Sequence, residues 1–101
     1  MFGINHLDGS GEDNPPIESL SALYDELRLA GEHGNVDVIN DDLGWCMSAH
    51  QDGRLVFEHL AEGGERHMIP VPKERVLDLW KRLIDGNIDS ILSEPWQPGY
   101  H

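Results

Sequence analysis

Positive charge is scarce in this chain. Seven Lys and Arg stand against 19 Asp and Glu, leaving a formal charge of −12 over 101 residues. A surface that negative repels phosphate and anionic headgroups, which argues against direct binding to nucleic acid or to an acidic membrane. Cysteine is nearly missing as well. The single Cys46 permits no internal disulfide, so the chain does not resemble a stapled secreted module. No apolar run is long enough to span a bilayer. The opening MFGINHLDGSGEDNPP has neither a positive n-region nor an apolar h-region, so a soluble, reducing, cytoplasmic setting is expected. There is no G-x-G-x-x-G, no P-loop and no G-x-S-x-G.

What is present suits one small domain. Apolar residues make up 39%, enough for a single modest core. Residues 1–14 are rich in Gly, Asp and Asn without periodicity and read as a flexible acidic arm. Their DGSGEDN run does not fit a calcium loop, because Asp13 stands where such a loop needs Gly. From Pro16 onward, Ile17, Leu20, Leu23, Tyr24, Leu27 and Ala30 line one helical face. Asn14 is the candidate cap, and Gly31 or Gly34 the stop.

Residues 36–39, 45–50, 54–60 and 67–71 read as short strands separated by turns at Asn40-Asp41-Asp42, Gln51-Asp52-Gly53 and Glu62-Gly63-Gly64-Glu65. Pro70 demotes the last run to an edge or a strand end. Pro72 opens a second helix with the stripe Val76, Leu77, Trp80, Leu83 and Ile84, closed by Gly86. Ile88, Ile91 and Leu92 suggest a further helical turn before the Pro- and aromatic-rich tail. The expected fold is α+β: an antiparallel three- to four-stranded meander packed against an N-terminal and a C-terminal helix, with residues 15–101 as one domain.

The hairpin GWCMSAHQDGRLVFEHL carries Cys46, His50 and His59, the residue types of a thiol nucleophile. Register decides whether they can meet. A two-residue turn at Asp52-Gly53 sets Cys46 opposite His59 but mixes apolar and charged residues on each face. A three-residue turn with Gly53 left-handed pairs Ala49 with Leu55, Met47 with Phe57 and Trp45 with His59. That register gathers Trp45, Met47, Ala49, Leu55, Phe57 and His59 on one face. Cys46, Ser48, His50, Arg54, Val56 and Glu58 take the other. It segregates polarity, so it is preferred, and it points Cys46 and His59 to opposite sides. His50 shares the face of Cys46 but lies about 13 Å along the strand. No catalytic dyad is expected, nor an enzyme.

The remaining histidines, His6, His33, His67 and His101, lack zinc-site spacing. His59 and His67 could face each other across Gly63-Gly64, but two ligands without a third make no site, so no metal or cofactor is expected.

The positive content is acid and late aromatics. Asp41, Asp42, Glu58, Glu62 and Glu65 could form an acidic edge on a rigid sheet. Trp96 and Tyr100 are either core or partner anchors, since contact hot spots favour Trp and Tyr. These seven are the candidate partner-binding residues, and the partner expected is a basic protein, because complementary charge speeds encounter. A small-ligand site near Cys46 and His59, or a regulatory protein-interaction domain, is the alternative.

The order of amphipathic helix, short strands, a hairpin with GRLVF, then IPVPKERVLDLWKRLIDG and a late Trp resembles bacterial polymorphic-toxin immunity proteins, specifically the first-numbered family of that set. Val71, Pro72, Glu74, Gly86 and Trp96 carry the likeness, over roughly residues 17–96. The family tends to place a Pro soon after the Gly and a closer Trp, where this chain has Asn87-Ile88. The resemblance implies a non-enzymatic inhibitor that binds and occludes a cognate toxin, often a deaminase or nuclease.

Overall fold

The structure, a computed structural model, describes residues 2–29 and 34–100. Ala30, Gly31, His33 and His101, named above, lie outside the described residues. The chain runs β1 (Phe2–Asn5), β2 (Gly11–Asp13), α1 (Ser19–Asp25), a 3-10 turn (Glu26–Leu29), β3 (Asn35–Asn40), β4 (Trp45–His50), β5 (Leu55–His59), β6 (Gly63–Met68), α2 (Lys73–Ile84), α3 (Ile88–Leu92) and β7 (Gln97–Pro98). The strands form one antiparallel sheet in the order β2-β1-β3-β4-β5-β6-β7.

The α+β class and the central meander β3 to β6 are as the sequence implies, but the sheet is wider. The segment read as an arm supplies two strands, and the tail supplies a third. Ile4 explains the first difference: it is 1% exposed, on the same core as Val36 and Val38. Phe2 and Ile4 alternate over only four residues, too short a run to read as a strand. Asn14 does not cap the helix. Its side chain accepts from the Phe2 amide at 3.0 Å, and α1 begins only at Ser19. The last strand of the meander spans 63–68 and not 67–71, so Gly63 and Gly64 lie in it with positive φ of 74° and 72°. Glycine tolerates that conformation where other residues do not.

The β4–β5 register is the three-residue-turn one. Ala49 pairs with Leu55, Met47 with Phe57 and Trp45 with His59, and Gly53 has φ 90°. The helices cover only the face that carries these six residues. Trp80 of α2 is fully buried there, and its indole N–H donates to the Met47 carbonyl at 3.1 Å. Trp45 stacks on Phe57 at 4.5 Å, and Trp96 stacks on Phe57 at 5.6 Å. Gly86 ends α2 as the stripe implies. Its N–H reaches the Leu83 carbonyl and that of Asn87 the Arg82 carbonyl, the paired closure that a left-handed Gly permits.

Among the described residues, no helix covers the other face. Cross-strand pairing lines up Asn5, Asp37, Ser48, Val56, His67 and Gln97 across six strands, with Ile39, Cys46 and Glu58 in the neighbouring row. The tail touches it. The His67 ring N–H donates to the Gly99 carbonyl at 2.8 Å, and Arg54 donates to the Tyr100 carbonyl at 3.2 Å. No helix among the described residues is long and apolar enough to cross a membrane.

Candidate partner-binding surface

The hairpin chemistry comes first. Cys46 lies opposite Glu58, on the open face, while His59 points to the helix side against Trp45. Burial, then the negative charges of Asp37 and Glu58, push the Cys46 thiol up to about 12. An activated nucleophile needs the reverse: a thiol drawn down by a cation or imidazolium. His59 and His67 do not face each other either. His59 lies opposite Gly63 on the helix side, and His67 opposite Val56 on the open side. Among the described residues, no three His, Cys, Asp or Glu side chains are grouped as a metal site.

The acidic candidates fall into two adjoining groups. Asp41 and Asp42 sit exposed in the β3–β4 turn, and Glu62 sits exposed in the β5–β6 turn. Antiparallel order brings these turns to the same end of the sheet, where the Leu60 amide donates to the Gly44 carbonyl at 2.7 Å. Two buried or half-buried side chains lock the turns. Asn40 accepts from the Leu43 amide at 3.1 Å and donates to the Leu83 carbonyl at 2.9 Å. His59 accepts through Nδ1 from the amides of Ala61 and Glu62 at 3.2 and 3.1 Å. Gly44 is needed beside that ring: it has φ 74°, and a Cβ there would lie 3.3 Å from His59 Nε2.

Glu58 and Glu65 form the second group, on the open face just below this end. The Tyr100 hydroxyl meets both, donating to Glu58 at 2.9 Å with Glu65 at 3.3 Å. The one hydroxyl proton is shared unequally between the two carboxylates, and among the described residues neither has a Lys or Arg partner. The phenol is pushed up to about 12, first by its hydrogen bond to Glu58. Asp37, in the same region, is raised by burial, opposed by a hydrogen bond from Asn5 and supported by Glu58.

Trp96 does not join them. It lies on the helix side, stacked on Phe57, and its N–H donates to the Ile91 carbonyl at 2.7 Å. Its polar tip and one ring face are used inside the protein, so it is a core-edge residue in this structure. Two exposed residues escaped the sequence reading: Leu43, 44% exposed, and Leu60, 56% exposed. The signal for them is positional. Each is the one large apolar residue in a turn otherwise made of Asp, Glu, Gly and Ala.

Cations cluster on α2. Four of the seven basic residues, Lys73, Arg75, Lys81 and Arg82, lie on α2. Three of them pair with acids there: Lys73 with Asp25 at 2.8 Å, Arg82 with Asp78 at 2.7 Å, and Arg75 and Arg82 with Glu94. Among the described residues, Asp41, Glu58, Glu62 and Glu65 have no Lys or Arg partner. Arg66 is nearby but stands over the Trp45 ring at 5.6 Å. Among the described residues, acids without a Lys or Arg partner therefore stand at the sheet end and on the open face, and in the helix layer at Glu74, Asp85 and Asp89.

A groove of about 580 Å³ lies at the other edge, between the β1–β2 hairpin and the 3-10 turn. Its polar groups are engaged with one another, since His6 contacts Glu26 and Glu12 at 2.6 Å each. No protein-family model matches this chain, and comparisons with curated proteins and with solved structures likewise find no match.

Proposed function

We propose that this chain is a non-enzymatic immunity protein that binds and occludes a basic cognate toxin of deaminase or nuclease type. The observation that carries the reading is the grouping of acids at one end of the sheet. Four of the seven cations lie on α2, while Asp41, Glu58, Glu62 and Glu65 stand at the sheet end and on the open face with no Lys or Arg partner among the described residues. A toxin that handles nucleic acid carries a basic active-site cleft, and a surface of opposite sign speeds encounter with it. Asp41, Asp42, Glu58, Glu62 and Glu65 supply that attraction, with Tyr100 at its border. Occlusion asks nothing catalytic of the inhibitor, in keeping with a buried thiol pushed toward its neutral form. On this reading the protein works in the cytoplasm, without cofactor, and binds neither nucleic acid nor membrane.

The test is capture of partners by the tagged protein from its native cells at low and high salt, read by mass spectrometry. The captured partner is then expressed alone and together with this protein. The expected result is a one-to-one basic partner, lost at high salt, whose toxicity is suppressed by co-expression. Changing Asp41, Asp42 and Glu62 together to Lys should slow association by about tenfold or more. No specific partner at either salt, or a partner whose toxicity is unaffected, overturns the reading.

A further inference from the structure

We propose that Leu43 and Leu60 are the apolar centre at which a basic partner docks, with Asp41, Asp42 and Glu62 as its charged rim. This rests on the basic-partner reading and adds where the contact sits and what holds it. Charge alone gives speed of encounter, while residence time comes from desolvated apolar contacts ringed by polar groups.

The two leucines are exposed on a fixed frame. The Leu43 amide is held by Asn40 and the Gly44 amide by the Asn40 carbonyl at 2.8 Å. The Leu60 amide is held by Gly44, and the next two amides by His59. A surface whose backbone is held at these five amides loses little entropy on binding. Leu43 also leans toward the end of α2, where its Cδ1 lies 3.4 Å from the place a Cβ on Gly86 would take. The three segments that meet here, residues 41–44, 60–63 and 85–87, hold four acids and no Lys or Arg.

That composition selects the occupant. A second copy would set these acids against their own images, and an acidic partner would be repelled in the same way. The fitting surface is an apolar recess flanked by Lys or Arg on another protein.

The probes are two synthetic twelve-residue peptides, one alternating Leu and Lys, the other alternating Ser and Lys. They have equal charge and differ in apolar content. Each is titrated into the 15N-labelled chain at about 0.15 M salt, where exposed charges are screened beyond roughly 8 Å. The Leu-Lys peptide should bind about tenfold more tightly, with shifts centred on Leu43, Gly44, Leu60 and Ala61. The double variant Leu43→Ser, Leu60→Ser should lower its affinity to that of the Ser-Lys peptide, with an unchanged amide spectrum elsewhere showing that the fold holds. Equal binding of both peptides overturns the apolar centre and leaves the basic-partner reading standing. No binding of either overturns both. A Leu-Lys preference that survives in the double variant, or shifts centred on the groove beside His6, overturns the assignment. Shifts at Leu43 and Leu60 that follow protein concentration alone identify a second copy as the occupant and overturn it too.

Discussion

Cys46 is paired across the sheet with Glu58, not with His59. One residue of register separates a thiol next to imidazole from a thiol next to carboxylate, and the three-residue turn at Gly53 sets which is built. Cys46 is 5% exposed, and burial with the charges of Asp37 and Glu58 pushes its thiol up to about 12. Native protein at pH 8 should therefore be alkylated by iodoacetamide at least about a hundredfold more slowly than unfolded protein. Intact-mass kinetics with and without urea check this. Labelling as fast as a free thiol would mean the register or the burial is wrong. The raised folded value also sets a sign. The unfolded thiol ionises from its ordinary value near 9.0, the folded one only near 12, so stability falls as pH rises through that window. Cys46→Ala should flatten that decline.

His6 clasps the β1–β2 hairpin to the turn after α1. Its Nδ1 lies 2.6 Å from Glu26 and its Nε2 lies 2.6 Å from Glu12. A neutral imidazole has one N–H, so two such contacts require the imidazolium. The hydrogen bonds to Glu26 and then Glu12 raise its pKa above the ordinary 6.5, and burial opposes them only in part. Asp8 is the other acid that feels this ring. A histidine with a raised folded pKa stabilises fully below its unfolded value and loses that contribution as pH climbs through the folded one. Urea midpoints should therefore fall between pH 6 and pH 8.5, by less than about 1 kcal/mol for so exposed a pair. His6→Gln should be flat over the same range. A wild-type midpoint that stays constant would show that the clasp does not form.

The sequence was legible where two signals agreed. In β4 and β5, alternation and the left-handed demand of Gly53 pointed to one register, and the second helix announced itself by a stripe ending at Gly86; the first stripe, read from Ile17 on, is α-helical only at Ser19–Asp25 before the 3-10 turn Glu26–Leu29. It was not legible where the strands are too short to show a pattern. β1 rests on Phe2 and Ile4 alone, β2 pairs through backbone with every side chain exposed, and β7 is the dipeptide Gln97–Pro98. The acidic candidates were legible as a group, but their division was not. Asp41, Asp42 and Glu62 meet because two turns share one end, a consequence of strand order and not of any local pattern. Trp96 was ambiguous because its stacking partner, Phe57, is 39 positions away.

That stacking leads to a prediction about the tail. Trp96 is anchored on Phe57 and Ile91, whereas residues beyond it hold on by the two-residue β7 pairing and the polar contacts of Gly99 and Tyr100. A chain ending at Trp96 should fold with an unchanged far-UV circular dichroism spectrum and lose about 1–2 kcal/mol. Trp96→Ala in the full chain should cost more, about 3 kcal/mol, because it removes a large packed ring. If the truncated chain fails to fold, the tail strand belongs to the core and the ranking of these two changes is reversed.

Asn40 gives the most local test of how the fold holds its exposed end. It is 6% exposed, and its amide serves two elements at once. The NH2 donates to the carbonyl of Leu83 near the end of α2, and the oxygen accepts from Leu43 in the β3–β4 turn. Removing one partner of a buried hydrogen bond leaves the other unsatisfied. Asn40→Ala strands a carbonyl and an amide together and should cost about 2–4 kcal/mol. Asn40→Asp keeps the shape and the acceptor for Leu43 but sets a carboxylate oxygen against the Leu83 carbonyl, so it should destabilise at pH 7 and recover in part as the carboxyl is protonated. Amide hydrogen exchange separates the two roles. In Asn40→Asp the Leu43 amide should stay protected relative to its neighbours while α2 loosens near Leu83. In Asn40→Ala both should exchange faster. Equal protection of Leu43 in all three proteins would mean the turn is held without Asn40, and the rigid frame under Leu43 would have to come from Gly44 and His59 alone.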